Sequence, residues 1–114
     1  MDLLTKLREI NVTRASRWHK GDVWSLNDWL VAFGGEAGEV LNAGKKHRRI
    51  LGNLQQHGNV PLSLREAEDK IMEELADTII YADLIAAKLD RNLAEAIIKK
   101  FNAISEREGF PERL

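Results

Sequence analysis

Four acidic side chains carry the chemistry this sequence can offer: Glu36 with Glu39, and Glu74 with Asp77. Each pair is spaced i, i+3, and residues three apart on an α-helix project about 60° from each other, so both carboxylates of a pair can hold one ion. The donors are all oxygen. Cysteine is absent, and the histidines at 19, 47 and 57 share no spacing, so the set selects a hard cation, Mg²⁺ or in its place Mn²⁺. Such ions usually serve phosphates, polarising a phosphoryl oxygen and lowering the pKa of a bound water. A lone acidic pair on a helix is ordinarily a solvated face. What matters is how the pairs are positioned.

Hydrophobic period and capping residues predict four helices. The first spans about Asp2 to Arg17, with Leu3, Leu7 and Ile10 on one stripe, and exits through His19-Lys20-Gly21-Asp22. The second opens at Ser25, with Asp28 three residues later, and its pattern runs to about Ile50. A loop from Gly52 to Leu62 is expected next, broken by Asn53, Gly58, Asn59 and Pro61, and no residue in it declares a role. Ser63 and Glu66 form a capping box for a third helix that reaches about Leu89. Asn92 and Glu95 repeat the signature for a fourth, which ends near Gly109 with Pro111 beyond. No strand signal is present. The expected fold is all-α, an antiparallel four-helix bundle in a single domain over residues 1–114.

Phase places the acids. On the second helix Leu26, Leu30, Phe33, Ala37, Val40, Leu41 and Gly44 make the main stripe. The third carries Ile71, Leu75, Ile79, Ala82 and Ala86 on one side and Ala76, Ile80, Leu84 and Ala87 nearly opposite, which predicts burial on two faces. Glu74, Asp77 and Tyr81 run down a gap between those stripes. Carboxylates held there lose hydration and repel one another unless a cation compensates. With the helices antiparallel, both acidic pairs face one cavity. Gly34, Gly35 and Gly38 beside the first pair each cost the helix roughly 1 kcal/mol relative to Ala. Close approach of a helix or a phosphate, or a kink, would account for them.

The 17 basic and 18 acidic residues leave a formal charge of -1, so no global field draws the 114-residue chain to nucleic acid or lipid. No apolar run approaches a membrane span, and the expected location is the cytoplasm. The basic run Lys45-Lys46-His47-Arg48-Arg49 is expected at the end of a helix, where cations favour the dipole, with Lys46 or Arg49 able to reach substrate phosphates. Trp24, just before the second helix, is the first choice to stack on a base, with Trp18 and Trp29 assigned to core or interface. A helix apolar on two sides in so short a chain predicts that one face meets another subunit.

Gly35-Glu36-Ala37-Gly38-Glu39-Val40, followed by Glu73-Glu74-Leu75-Ala76-Asp77, resembles the paired ExxE and ExxD motifs of the MazG-like nucleotide pyrophosphohydrolases. The resemblance spans most of the chain, through Trp24-Ser25-Leu26-Asn27-Asp28-Trp29, Tyr81, Lys100-Phe101-Asn102 and Gly109-Phe110-Pro111. It implies a MazG-type all-α fold and Mg²⁺ held by Glu36, Glu39, Glu74 and Asp77. It further implies hydrolysis of a nucleoside triphosphate to monophosphate and pyrophosphate; the purpose stays open between housecleaning removal of damaged nucleotides and control of a nucleotide pool. Tyr81 then lies near sugar or base, Lys100 and Asn102 near the phosphates, and the working form is a homodimer or homotetramer. Close alternatives are a dUTP- or dCTP-specific hydrolase or a phosphoribosyl-ATP pyrophosphatase. A different class is a non-catalytic helical interaction module whose acids form salt bridges.

Overall fold

The computed structural model describes residues 2–18, 23–57 and 62–114. Four α-helices appear in the order α1 (Leu3–Trp18), α2 (Leu26–His57), α3 (Leu62–Lys88) and α4 (Leu93–Glu108), with no strand among the described residues. None of these helices is long and apolar enough to cross a membrane.

Local chemistry explains most of the ends. Asp2 Oδ1 accepts the Thr5 backbone N–H at 2.9 Å, as an N-cap does, and starts α1. Helix α2 begins directly after Ser25, with Asp28 in its first turn. Asn92 caps α4 by accepting the Glu95 N–H at 3.0 Å. Both α3 and α4 stop in the same motif. Arg91 N–H reaches Ala86 O at 2.9 Å with Asp90 N–H on Ala87 O, and Phe110 N–H reaches Ser105 O at 2.8 Å with Gly109 N–H on Glu106 O. The pivot residue takes a left-handed conformation in each, Gly109 at φ 73° and Asp90 at φ 54°.

Two expected boundaries move. Helix α2 continues through Gly52 and Asn53 to His57, so the expected loop shrinks and its remainder, 58–61, lies outside the described residues, as does the exit at 19–22. Gly and Asn are poor helix formers but cost only about 1 kcal/mol or less each, which a long helix absorbs. The basic run at 45–49 therefore sits in mid-helix, where the C-terminal dipole cannot explain it. Helix α3 starts at Leu62, so Ser63 occupies its first turn rather than capping it.

The chain falls into two compact units, one of Met1–Leu26 with Ala82–Leu114, the other of Asn27–Tyr81. In the first, α1 packs on α4. Asp83, at 1% exposure, holds Arg8 through Oδ1 and Nε at 3.0 Å and accepts from Asn11 Nδ2 at 3.1 Å. Leu84 and Ala86 are buried beside it in sequence.

In the second unit α2 and α3 run antiparallel. Trp29 meets Tyr81, Glu36 meets Glu74, and His47 meets Glu68, partners descending α3 as the numbers climb α2. The inner line of α2 passes through Trp29, Phe33, Glu36, Val40, Ala43 and His47. That of α3 passes through Leu64, Ala67, Ile71, Glu74, Thr78 and Tyr81. The predicted two-faced burial of α3 is not found within the chain, because Leu75 and Ile79 are 41% and 49% exposed. Apolar period marks positions that favour burial; it does not by itself place them inside the chain.

Candidate metal centre

Helical phase carries Glu36 and Glu74 onto the facing lines of α2 and α3, at positions otherwise held by Ala, Val, Ile and aromatic side chains. Asp77, one turn beyond Glu74, stands at the rim and is exposed. One carboxylate oxygen from each of Glu36, Glu74 and Asp77 lies within 4.8 Å of the other two. Glu74 is only 6% exposed.

The electrostatics follow from that crowding. Burial, and then the charges of Asp77, Glu74 and Glu39 in that order, push the Glu36 carboxyl above the ordinary glutamate range. Glu39 is exposed on α2 and stands outside the close trio, yet its charge is felt at Glu36, so all four acids share one field. Partial relief comes from Lys70, whose Nζ lies 2.9 Å from Glu74 Oε1 and 3.6 Å from Glu73 Oε2. The Glu74 backbone carbonyl accepts Thr78 Oγ1–H at 2.8 Å, which ties down the turn between Glu74 and Thr78.

The trio suits a divalent cation. Its donors are hard oxygens, one is buried, and the mutual repulsion that burial and proximity create is what a 2+ charge removes. Glu39 adds a fourth oxygen donor next to Glu36 on the same helix.

Of the other residues singled out by the sequence, Tyr81 belongs to the same unit, one turn past Asp77. Its ring centroid is 6.1 Å from that of Trp29, at 56° between planes. Trp29 is buried in that contact, as expected of a core aromatic. Lys46 is exposed on α2 and lines a groove with Glu39 and Lys70. Trp24, Lys100 and Asn102 fall in the other unit. Trp24 is half-buried and Lys100 exposed. The Asn102 amide is engaged by the chain itself, accepting Leu114 N–H at 2.8 Å and donating to Leu114 O at 3.3 Å. Trp18 is 72% exposed, which removes it from the core of this chain.

Three residues with a marked arrangement were not found by sequence reasoning: Asp83, Arg8 and Asn11. The signal for Asp83 was its standing as the one acid in the apolar stretch Thr78–Ala87; nothing in the sequence named its partners, 75 and 72 positions away. The expectation that Gly34, Gly35 and Gly38 admit a closely packed neighbour is not met within the chain. A Cβ at any of them would meet nothing within 4 Å, and α2 passes through all three unbroken.

No family model, no curated protein and no solved structure matches this chain.

Proposed function

We propose that the protein is a Mg²⁺-dependent nucleoside triphosphate pyrophosphohydrolase, converting a ribo- or deoxyribonucleoside triphosphate and water to the monophosphate and pyrophosphate. The observation that carries the reading is the convergence of Glu36, Glu74 and Asp77 oxygens within 4.8 Å, with Glu74 buried. The resemblance of both acidic motifs to those of MazG-like enzymes supplies the reaction.

In this reading Glu36, Glu39, Glu74 and Asp77 hold the ion, with Mn²⁺ able to replace Mg²⁺. The ion supplies Lewis acidity to a phosphoryl oxygen and acidifies a water. The chain's own part is to fix that charge beside the α,β-phosphate junction, where water oxygen bonds to phosphorus and the P–O bond to pyrophosphate breaks. Tyr81 flanks the site from one turn beyond Asp77 and serves sugar or base.

The working form in this proposal is a homodimer or homotetramer. Among the described residues of the Asn27–Tyr81 unit, Leu30, Val31, Leu41, Leu51, Met72, Leu75 and Ile79 are exposed, whereas Trp29, Ala43, Leu64 and Ala67 are the buried apolar residues. A helix pair with more large apolar side chains outside than inside calls for a cover.

A second reading, a helical interaction module without catalysis, is favoured by the Lys70–Glu74 pair, which satisfies one acid internally. Pyrophosphate release measured over a panel of ribo- and deoxynucleoside triphosphates, with and without Mg²⁺, separates the two. Mg²⁺-dependent release from any of them supports the hydrolase; no release, together with no rise in melting temperature on adding Mg²⁺, leaves the module.

A further inference from the structure

Beside the acids lies a groove of about 430 Å³ lined by Glu39, Asn42, Ala43, Lys46 and Ile50 of α2 and by Ser63, Glu66, Ala67 and Lys70 of α3. Its walls come from one line on each helix. Glu39, Ala43, Lys46 and Ile50 follow one another at spacings of four, three and four on α2. The buried alanines at 43 and 67 leave the room.

The charges in it are unequal in their commitments. The Lys70 ammonium is held by Glu73 and Glu74. Lys46 makes no ion pair and no hydrogen bond among the described residues, although it stands next to three other cations of the run Lys45–Arg49. Like charges at helical spacing repel by a few tenths of a kcal/mol per pair, and with the helix end moved to His57 the helix dipole does not offset them. Glu39 and Glu66 line the same groove and Glu68 lies 3.8 Å from His47, which offsets part of that repulsion. Where Glu39 is taken up by an ion, an anion in the groove would pair with Lys46.

Order along the helices gives the anion a direction. From one end α2 presents Trp29, Glu36, Glu39 and Lys46, and α3 presents Tyr81, Asp77, Glu74 and Lys70. Glu39 and Lys46 are two turns apart, about 10 Å at 1.5 Å per residue, a span that linked phosphates and a lysine side chain can bridge.

We propose that this groove receives the terminal phosphates of the nucleotide, the future pyrophosphate, with the Lys46 ammonium donating to them. It rests on the hydrolase reading and adds the orientation of the substrate: aromatic pair toward the nucleoside, carboxylates at the scissile junction, Lys46 at the tail. The ligand class is a chain of at least two linked phosphates, and a monophosphate does not reach Lys46.

The test is equilibrium binding of inorganic pyrophosphate, and separately of a nucleoside monophosphate, to the full chain in Mg²⁺, for wild type, Lys46→Met and Lys46→Arg. Losing a hydrogen bond to a charged partner predicts about tenfold weaker pyrophosphate binding by Lys46→Met. Monophosphate affinity and the Mg²⁺-induced rise in melting temperature stay unchanged, and Lys46→Arg recovers most of the loss. The proposal is overturned if wild type binds no pyrophosphate, if Lys46→Met binds it as wild type does, or if both ligands weaken equally. The readout needs no turnover. Lys46-dependent pyrophosphate binding without nucleotide hydrolysis would sink the hydrolase reading and keep the groove; hydrolysis with pyrophosphate binding indifferent to Lys46 would do the reverse.

Discussion

Lys70 Nζ sits 2.9 Å from Glu74 Oε1, so the one buried carboxylate of the acidic trio already holds a cation supplied by the next turn of its own helix. The pair is half in water on the lysine side and offsets repulsion among the acids; on the hydrolase proposal a divalent ion would take over that part. Lys70→Met is expected to lower the melting temperature of chelator-treated protein and to leave that of Mg²⁺-saturated protein closer to wild type. Melting curves followed by circular dichroism in the two conditions check it; an equal drop in both would mean Lys70 acts only through packing.

The same crowding sets a pH dependence. The Glu36 carboxyl titrates above its ordinary value of 4.5, so just above that value the folded chain binds more protons than the unfolded one. Stability from this group is present at and below pH 4.5 and is lost as pH rises through the folded pKa. Metal-free wild type should therefore lose melting temperature relative to Glu36→Gln as pH climbs through that window. Mg²⁺ should flatten the difference, since a bound cation takes over what the proton was doing.

Turnover tests the ligand set. Losing a residue that merely orients a metal ligand commonly costs about 10–100-fold, so Glu74→Gln and Asp77→Asn, which on the hydrolase proposal alter ligands themselves, should each lower pyrophosphate release by at least about 100-fold. Glu39→Gln is the informative comparison. Its carboxylate is outside the close trio, and full activity in that variant would reduce the ligand set to Glu36, Glu74 and Asp77.

Asp83 anchors the other unit. Replacing it with Ala removes the carboxylate that Arg8 and Asn11 bind, and breaking a buried ion pair from one side costs about 3–5 kcal/mol. Arg8 keeps partial access to water, which puts the expected loss near the low end, about 3 kcal/mol in urea unfolding. Asn92→Ala, which removes only the α4 cap, should cost about 1 kcal/mol.

Gly35 offers a test of a different kind. With open space at its Cβ position, Gly35→Ala should stabilise the free protein by up to about 1 kcal/mol through helix propensity alone. If the same variant weakens nucleotide or subunit binding, measured by titration or sedimentation, the gap is kept for something outside the chain.

What the sequence made legible was whatever depends on neighbours along the chain. The Asn92–Glu95 cap, the stop at Gly109 and the i, i+3 spacing of Glu74 and Asp77 are short-range chemistry; that Glu36 joins them from another helix follows from the helical phase of both and their antiparallel packing. Three things resisted. The continuation of α2 past Gly52 and Asn53 depends on the rest of a long helix outweighing two weak positions. The inner line of α3 was hidden because Leu75 and Ile79 are as apolar as any core residue, while the true line runs through Glu74 and Thr78. Asp83 finds its partners across more than 70 residues, which no local pattern encodes.

The antiparallel register of α2 and α3 has a consequence for how such a chain can change over time. Seven residues separate Trp29 from Glu36, and seven separate Glu74 from Tyr81, so the aromatic contact and the acidic contact stand the same two turns apart on both helices. Adding or deleting one residue inside either interval would turn everything beyond it by about 100° and shift it by about 1.5 Å. Substitutions in those stretches alter single contacts, whereas a change of length by one unpairs a whole end of the site. Variation in length is therefore expected outside these two intervals, and a drifting lineage would keep both spacings even where it keeps few of the side chains.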